Sequence, residues 1–139
     1  MVWHATYLSP GFREARREKI SRLYEWGDKE QMRAEDDDRR EEGRYDVFFL
    51  GIYAGSSQFP EVGKDSGRWR IVLEAGEGGA IEPVLFERIP VTQLERTLYP
   101  YLDKWTEAYL VRFPKVIGSG EGFRLRMTGL PARSELVWK

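Results

Sequence analysis

The single histidine, His4, and the absence of cysteine restrict the chemistry that side chains of this chain can supply. Any histidine-based triad or dyad would have to use His4, which lies in the middle of an apolar, strand-like segment. A side chain on a strand face is the more frequent role of such a residue. Thiol nucleophiles, thiolate metal sites and metal centres built on several histidines are excluded. We therefore predict no catalytic residue, no metal site and no cofactor.

Three consecutive aspartates, Asp36 to Asp38, provide oxygen donors of the kind that calcium prefers. The alternating aspartates and the glycine of a calcium loop are absent, however, and two arginines follow directly. The pattern favours a solvated charged face. In the same way Gly118 to Gly122 resembles a phosphate-binding loop, but it has no following Lys-Ser or Lys-Thr and is interpreted as a hairpin connection.

Carboxylates are too frequent in this chain for composition alone to identify a catalytic pair, since 23 residues are acidic. Glycoside chemistry needs two carboxyl groups at a defined separation in one cleft. As an alternative to a non-catalytic protein, we consider a carboxylate-based hydrolase. Its cleft would bring together Asp103, Glu107, Glu121 and Arg124.

Aromatic residues near a proline are the most informative candidates for binding. Tyr99, Tyr101 and Trp105 flank Pro100 in a predicted loop, whereas the other large rings lie at alternating positions of predicted strands. A loop aromatic can close the end of a β-sandwich or stack on a ligand such as a sugar or a peptide. We favour closure, because a large apolar side chain is usually left exposed only where a partner binds it. The three residues are nevertheless the candidate binding site.

Charge and hydropathy exclude two classes of partner. The formal net charge of −1 gives no sign of the basic excess that nucleic-acid binding requires, and no apolar run is long enough to span a bilayer. The first ten residues lack the layout of a signal peptide. We expect a cell-envelope or periplasmic location if a leader has been removed, and a cytoplasmic location otherwise.

A charged helical insertion, residues 10–44, follows the first predicted strand, residues 2–8. Ser9 and Pro10 have the residue types of an N-cap and a first helical position, and Gly27 is predicted to end the helix. Its apolar stripe consists of Phe12, Ala15, Ile20 and Leu23. A second helix, opened by a capping box of Asp28 and Gln31, offers little to bury and is predicted to be exposed or frayed.

From residue 45 onward the residue pattern predicts mainly strands. Residues 44–55 are apolar on both faces, as expected for a strand that is covered on both sides. Later segments alternate, which places Trp69, Ile71, Leu73, Tyr109, Val111, Phe113, Phe123, Leu125 and Met127 on inward faces. A short helix near residue 95 begins with a capping box of Thr92 and Glu95.

These elements predict a single domain, residues 1–139, that is mainly β. The expected fold is an antiparallel two-sheet sandwich, immunoglobulin-like, of about seven strands with the helical insertion after the first. The alternative is an α+β layer in which the first helix covers one face of a single sheet.

The succession "DVFFLGIYAG … RWRIVLE … IEPVLFERI … LYPYLDKWTEAYLVRFP … FRLRMTG" resembles uncharacterised bacterial cell-envelope domains of lipoprotein-like type. The resemblance covers residue 45 to the C terminus together with the leading strand, and it contains no catalytic signature. It implies an envelope location and a non-catalytic sandwich. The functional hypothesis is a protein-interaction or envelope-associated module, with a small-ligand or carbohydrate binder that uses the loop aromatics as the alternative.

Overall fold

A computed structural model describes residues 2–53, 69–76, 79–117, 122–129 and 133–138. These ranges contain seven strands: β1 (Val2–Tyr7), β2 (Tyr45–Tyr53), β3 (Trp69–Ala75), β4 (Leu85–Ile89), β5 (Glu107–Pro114), β6 (Phe123–Gly129) and β7 (Arg133–Trp138). They also contain three helices: α1 (Pro10–Tyr24), α2 (Asp28–Arg44) and α3 (Gln93–Leu98).

The strands form two open antiparallel sheets. The first sheet has the order β1-β2-β5-β4, and the second has the order β3-β6-β7. The helical hairpin α1–α2 connects β1 to β2, and α3 lies between β4 and β5. The sequence therefore predicted correctly seven antiparallel strands in two sheets, with the helical insertion after the first strand.

The two sheets share a core. Strand alternation sends every second side chain of β2, β5, β3 and β6 into the space between the sheets. There the buried residues include Phe48, Leu50, Ile52, Tyr109, Val111, Phe113, Ile71, Leu73, Phe123, Leu125 and Met127. All inward-facing residues predicted from the alternation are confirmed except Trp69, whose side chain lies outside the described residues.

The first sheet is also covered on its other face. Val47, Phe49 and Ala108 point away from the second sheet and pack with Leu8, Tyr99 and Leu102 in a separate apolar cluster. Strand β2 is therefore buried on both faces, as its unbroken apolar run predicted. The result is three layers: helices, first sheet and second sheet. It combines the predicted sandwich with the helix-on-sheet packing of the alternative.

Helix α1 begins as predicted but ends earlier. Ser9 Oγ accepts a hydrogen bond from Phe12 N at 3.1 Å, and Pro10 is the first helical residue. The predicted end at Gly27 is wrong, because Glu25 adopts a left-handed conformation with φ 51° and its N–H bonds to Ser21 O. Gly27 instead caps α2, and its N–H donates to Glu30 Oε2 at 3.0 Å. The capping box therefore starts one residue before the predicted Asp28.

The predicted apolar stripe of α1 is wrong in two respects. Leu23 is 56% exposed and Ala15 is also exposed, whereas Arg13 is only 1% exposed. The second helix is mostly exposed, as predicted, but it is continuous over 17 residues and its Asp38 is buried. Ion pairs between the two helices, which spacing within either helix could not reveal, replace the apolar contact that the pattern had suggested.

Candidate functional site

Tyr99 follows α3 directly and is buried on the outer face of the first sheet. Its ring stacks on Phe49 with centroids 3.7 Å apart and planes 1° apart. The hydroxyl accepts a hydrogen bond from Arg16 Nη1 at 3.4 Å. Burial raises the pKa of Tyr99, although the charge of Arg16 opposes the shift. With 3% of its surface exposed, Tyr99 is a packing residue that joins the loop to the sheet.

Tyr101 lies flat against the backbone of Gly51. A Cβ placed on Gly51 would be 2.9 Å from the Tyr101 ring, so only glycine leaves room for it. The Tyr101 hydroxyl is 2.8 Å from Thr6 Oγ1 and donates to Phe49 O at 3.3 Å, which ties the loop to β1 and β2. Its other neighbour is His4, whose ring stacks on it with centroids 5.0 Å apart. Burial raises the pKa of Tyr101.

Trp105 differs from both tyrosines because it is 66% exposed. Asp103 holds the turn that presents it: Oδ1 accepts from Trp105 N at 2.8 Å and from Thr106 Oγ1 at 2.8 Å. These hydrogen bonds lower the pKa of Asp103. Lys104 Nζ lies 4.9 Å from the centroid of the indole. An exposed tryptophan is thus displayed on a turn whose neighbours Leu102 and Thr106 are buried.

The structure therefore separates the three predicted binding residues. Tyr99 and Tyr101 pack on the outer face of the first sheet, whereas the prediction placed such rings at the end of the sandwich. Trp105 alone of the three leaves most of its ring open to solvent. The tertiary positions of Phe49 and Gly51 distinguish these residues, since the sequence places all three in one predicted loop.

The described residues of the proposed hydrolase, Asp103, Glu107 and Arg124, have separate partners. Asp103 is engaged in its own turn, and Glu107 accepts from Arg88 at 3.0 Å and from Tyr109 at 2.7 Å. Arg124 belongs to the second sheet, where it pairs with Glu74 and Glu135. Glu121 and most of the connection Gly118 to Gly122 lie outside the described residues.

Metal-binding geometry is absent from the described part of the chain, where no group of three or more histidine, aspartate or glutamate side chains could hold an ion. His4 is exposed on β1 and stacks on Tyr101. Of the three consecutive aspartates, Asp36 and Asp37 are exposed as predicted. The prediction is wrong for Asp38, which is buried because three arginines of α1 converge on it.

Those arginines form an ionic network between the two helices of the hairpin. Arg13 Nη1 lies 3.1 Å from Asp38 Oδ1, Arg16 Nη2 lies 3.2 Å from the same oxygen, and Arg17 Nη1 lies 2.6 Å from Oδ2. Arg13 also contacts Glu41 Oε1 at 2.8 Å, and its Nε donates to Leu8 O at 3.0 Å. The network fixes α1 on α2 and fixes both helices on the end of β1.

Glu41 extends this network to the first sheet. Its Oε2 accepts two hydrogen bonds from the guanidinium of Arg112 on β5, from Nη2 at 2.8 Å and from Nε at 3.0 Å. Burial alone would raise the pKa of Glu41, but the hydrogen bonds from Arg13 and Arg112 outweigh it and lower the pKa. A carboxylate that is held ionised in this way positions α2 and is a poor proton donor.

A groove of about 400 Å³ lies between the helices and the outer face of the first sheet. Phe49, Tyr99 and Leu110 line it from the sheet side, and Leu94 and Leu98 of α3 line it from the other side. The helical hairpin contributes Ile20, Trp26, Ala34 and the charged residues Arg16, Arg17, Asp37 and Asp38. We call this feature the helix–sheet groove. It could not be predicted from the sequence, because its lining comes from six separate elements and from two residues of connecting segments, Trp26 and Tyr99.

Comparison with known proteins adds no further assignment. No family model matches the chain, and neither the curated proteins nor the solved structures contain a match to it. Within the described ranges, no helix has the length and apolar character needed to cross a membrane.

Proposed function

We propose that this chain is a non-catalytic protein-interaction module whose partner contacts Trp105. The observation that carries the proposal is the exposure of this tryptophan, 66%, on a turn fixed by Asp103. Tryptophan is enriched among the residues that dominate the binding energy of interfaces. The hydrogen bond from Trp105 N to Asp103 orders the backbone of the turn, so the turn loses little conformational entropy on binding. An exposed indole on an ordered turn is therefore suited to enter a pocket on another protein.

The architecture supports this reading. The strand orders β1-β2-β5-β4 and β3-β6-β7 correspond to the two sheets of a constant-type immunoglobulin sandwich, ABED and CFG. We propose on this ground that the sandwich is immunoglobulin-like. Folds of this type carry their contact residues in the connections between strands, and Trp105 lies in the connection that precedes β5. An envelope location is a further proposal, supported by the sequence resemblance alone.

A carbohydrate binder is the second candidate function, and the same residue favours it. Exposed indole faces stack on the apolar faces of sugar rings, and Trp105 offers such a surface beside the ammonium of Lys104. Asp103, Glu107 and Arg124, the described residues of the alternative hydrolase, have separate partners and give that alternative no support. The two binding functions can therefore be distinguished by the chemical nature of what Trp105 contacts.

The test is quantitative capture of proteins from extracts of the source cells, with the wild-type chain and Trp105→Ala compared by mass spectrometry. A partner that uses the indole as an anchor should lose about 30-fold or more in affinity, since anchors of this kind contribute at least about 2 kcal/mol. Leu23→Ala is the matched control, because Leu23 is also a large exposed apolar residue but lies on α1. Equal recovery with wild type and Trp105→Ala would overturn the proposal.

A second measurement identifies the direct contact. A photoreactive phenylalanine analogue at position 105 should form a discrete adduct with one protein, whereas the same analogue at the exposed Tyr53 should not. Cross-linking to polysaccharide alone would transfer the assignment to the carbohydrate binder.

A further inference from the structure

The helix–sheet groove is a concave surface with a largely apolar lining. Its sheet side is formed by Phe49, Tyr99 and Leu110, and its walls are formed by Ile20, Trp26 and Leu98. Several of these side chains, including Ile20, Trp26, Leu98 and Leu110, are only partly buried. Partly covered apolar side chains gathered in one concavity are typical of ligand sites, whereas single exposed apolar residues are common on any surface.

The charges that line the groove are not balanced. Arg16 and Arg17 both pair with Asp38, at 3.2 and 2.6 Å, and Arg16 also donates to Tyr99. Two more carboxylates line the groove, Asp37 of α2 and Glu95 of α3. Within the described part of the chain the carboxylate of Asp37 makes no hydrogen bond or ion pair, and the carboxylate of Glu95 accepts only from the neutral hydroxyl of Thr92. Two arginines and three carboxylates line the groove, so the net formal charge of its lining is −1.

We propose that the helix–sheet groove binds a small organic cation, an ammonium or guanidinium group carried on an apolar chain or ring. The apolar part packs on Phe49 and Leu110, and the cationic group lies near Asp37 and Glu95. Trp26 lines the same groove, and tryptophan is the aromatic residue that attracts cations most strongly. This site is separate from Trp105 and does not depend on the proposed protein partner.

The size of the groove selects a small molecule as the occupant. A volume of about 400 Å³ lies near the lower end of the range found for small-molecule pockets, roughly 300–1,000 Å³. A second copy of the chain or a partner helix would need a longer apolar channel. The lining selects against an anion, because its three carboxylates, Asp37, Asp38 and Glu95, outnumber its two guanidinium groups.

Three probes that share one apolar chain and differ in the head group test the charge assignment: octylammonium, octan-1-ol and octanoate. Binding is measured by titration with amide chemical shifts, which also locate the probe. We expect octylammonium to bind about five- to tenfold more tightly than octan-1-ol and octanoate to bind more weakly than both, since a partly exposed ion pair and a cation–π contact each contribute a few-fold. The largest shifts should occur at Phe49, Leu98 and Leu110.

Two variants of the charged residues complete the test. Asp37→Asn combined with Glu95→Gln should reduce the preference for octylammonium over octan-1-ol by about threefold, because the ion pair is lost and the contact with Trp26 remains. Asp36→Asn is the matched control: it removes a carboxylate from the next position of α2, which does not line the groove, and it should leave binding unchanged. Equal affinities for the three probes, preference for octanoate, or shifts outside the groove would each overturn the proposal.

Discussion

Arg13 and Asp38 are buried against each other, with Nη1 of the arginine 3.1 Å from Oδ1 of the aspartate, and they join the two helices of the hairpin. Each comes from a helix that has almost no apolar face of its own. A buried charge is tolerated only when it is paired and hydrogen-bonded, and Arg13 meets this condition through Asp38, Glu41 and Leu8 O. The hairpin is therefore held on the first sheet largely by charge pairing.

Replacing Arg13 by leucine should lower the free energy of unfolding by about 3–5 kcal/mol, because it leaves the carboxylates of Asp38 and Glu41 close together without their central cation. Urea unfolding followed by circular dichroism measures the change. Arg39→Leu is the control, since Arg39 is 69% exposed and pairs only on the surface of α2; its effect should stay below about 1 kcal/mol. Equal effects of the two substitutions would contradict a structural role for the buried network.

Gly51→Ala should destabilise the protein by about 1–3 kcal/mol, because the added methyl group would meet the Tyr101 ring at 2.9 Å. In a Tyr101→Ala background the same substitution should cost much less, and a double-mutant cycle measures the difference. Gly43→Ala is the opposite control, because a Cβ there meets nothing within 4 Å and alanine favours the helix by about 0.5–1 kcal/mol. A full cost of Gly51→Ala without Tyr101 would show that the ring contact is not its cause.

Stability should fall at alkaline pH through the titration of Tyr7. Burial, the negative charge of Asp46 and their hydrogen bond raise the pKa of Tyr7 to about 12. The unfolded chain titrates near pH 10, so its contribution to stability is complete below about pH 10 and is lost as the pH rises through about 12. Burial also raises the pKa of Tyr101 and of Tyr109, which strengthens the same trend.

Urea unfolding across this pH range checks the prediction. Tyr7→Phe should lose stability less steeply between about pH 10 and 12 than the wild type. Tyr24→Phe, at an exposed position of α1, should follow the wild-type curve. Identical slopes for wild type and Tyr7→Phe would contradict the assignment of the alkaline transition to Tyr7.

Asp46→Asn should release the connection that follows β5. The Asp46 carboxylate accepts from Val116 N at 2.7 Å and from Ile117 N at 2.8 Å, and Lys115 Nζ lies 3.2 Å from it. Hydrogen bonds to a charged group contribute about 1.5–3 kcal/mol, so we expect a loss of that order in unfolding free energy. Titration of tyrosinate absorbance should show the pKa of Tyr7 falling below about 12, because the negative charge has gone. An unchanged Tyr7 titration would contradict the proposed coupling.

The alternating pattern predicted the strands and the sheet faces because side chains of a strand point to opposite sides whatever the rest of the chain does. Ser9 and Pro10 likewise marked the start of α1, since caps act on the nearest backbone groups. Thr92 is the N-cap position of α3 as predicted, but the predicted capping box is wrong, because the Thr92 hydroxyl donates to the Glu95 carboxylate and makes no hydrogen bond to the helix backbone. The apolar run of β2 indicated a strand covered on both faces before the covering layer was known. These features are local in the chain, and local preference was sufficient for them.

The burial of charged residues in the helical hairpin was not predicted, because it depends on contacts that are distant in the chain. Charged side chains are usually solvated, so Arg13 and Asp38 appeared to belong to exposed faces. Their burial depends on partners 25 residues apart in the sequence, and no periodicity within either helix encodes such a pairing.

What the sequence determined by itself was the set of elements, the inward faces of the strands and the restricted catalytic chemistry of a chain with one histidine and no cysteine. Only the tertiary structure decided which of Tyr99, Tyr101 and Trp105 faces the solvent, because Phe49 and Gly51 of β2 offer surfaces for the first two rings and the Asp103 turn directs the third away. It also created the helix–sheet groove, since a concave surface built from separate elements exists only after those elements have packed together.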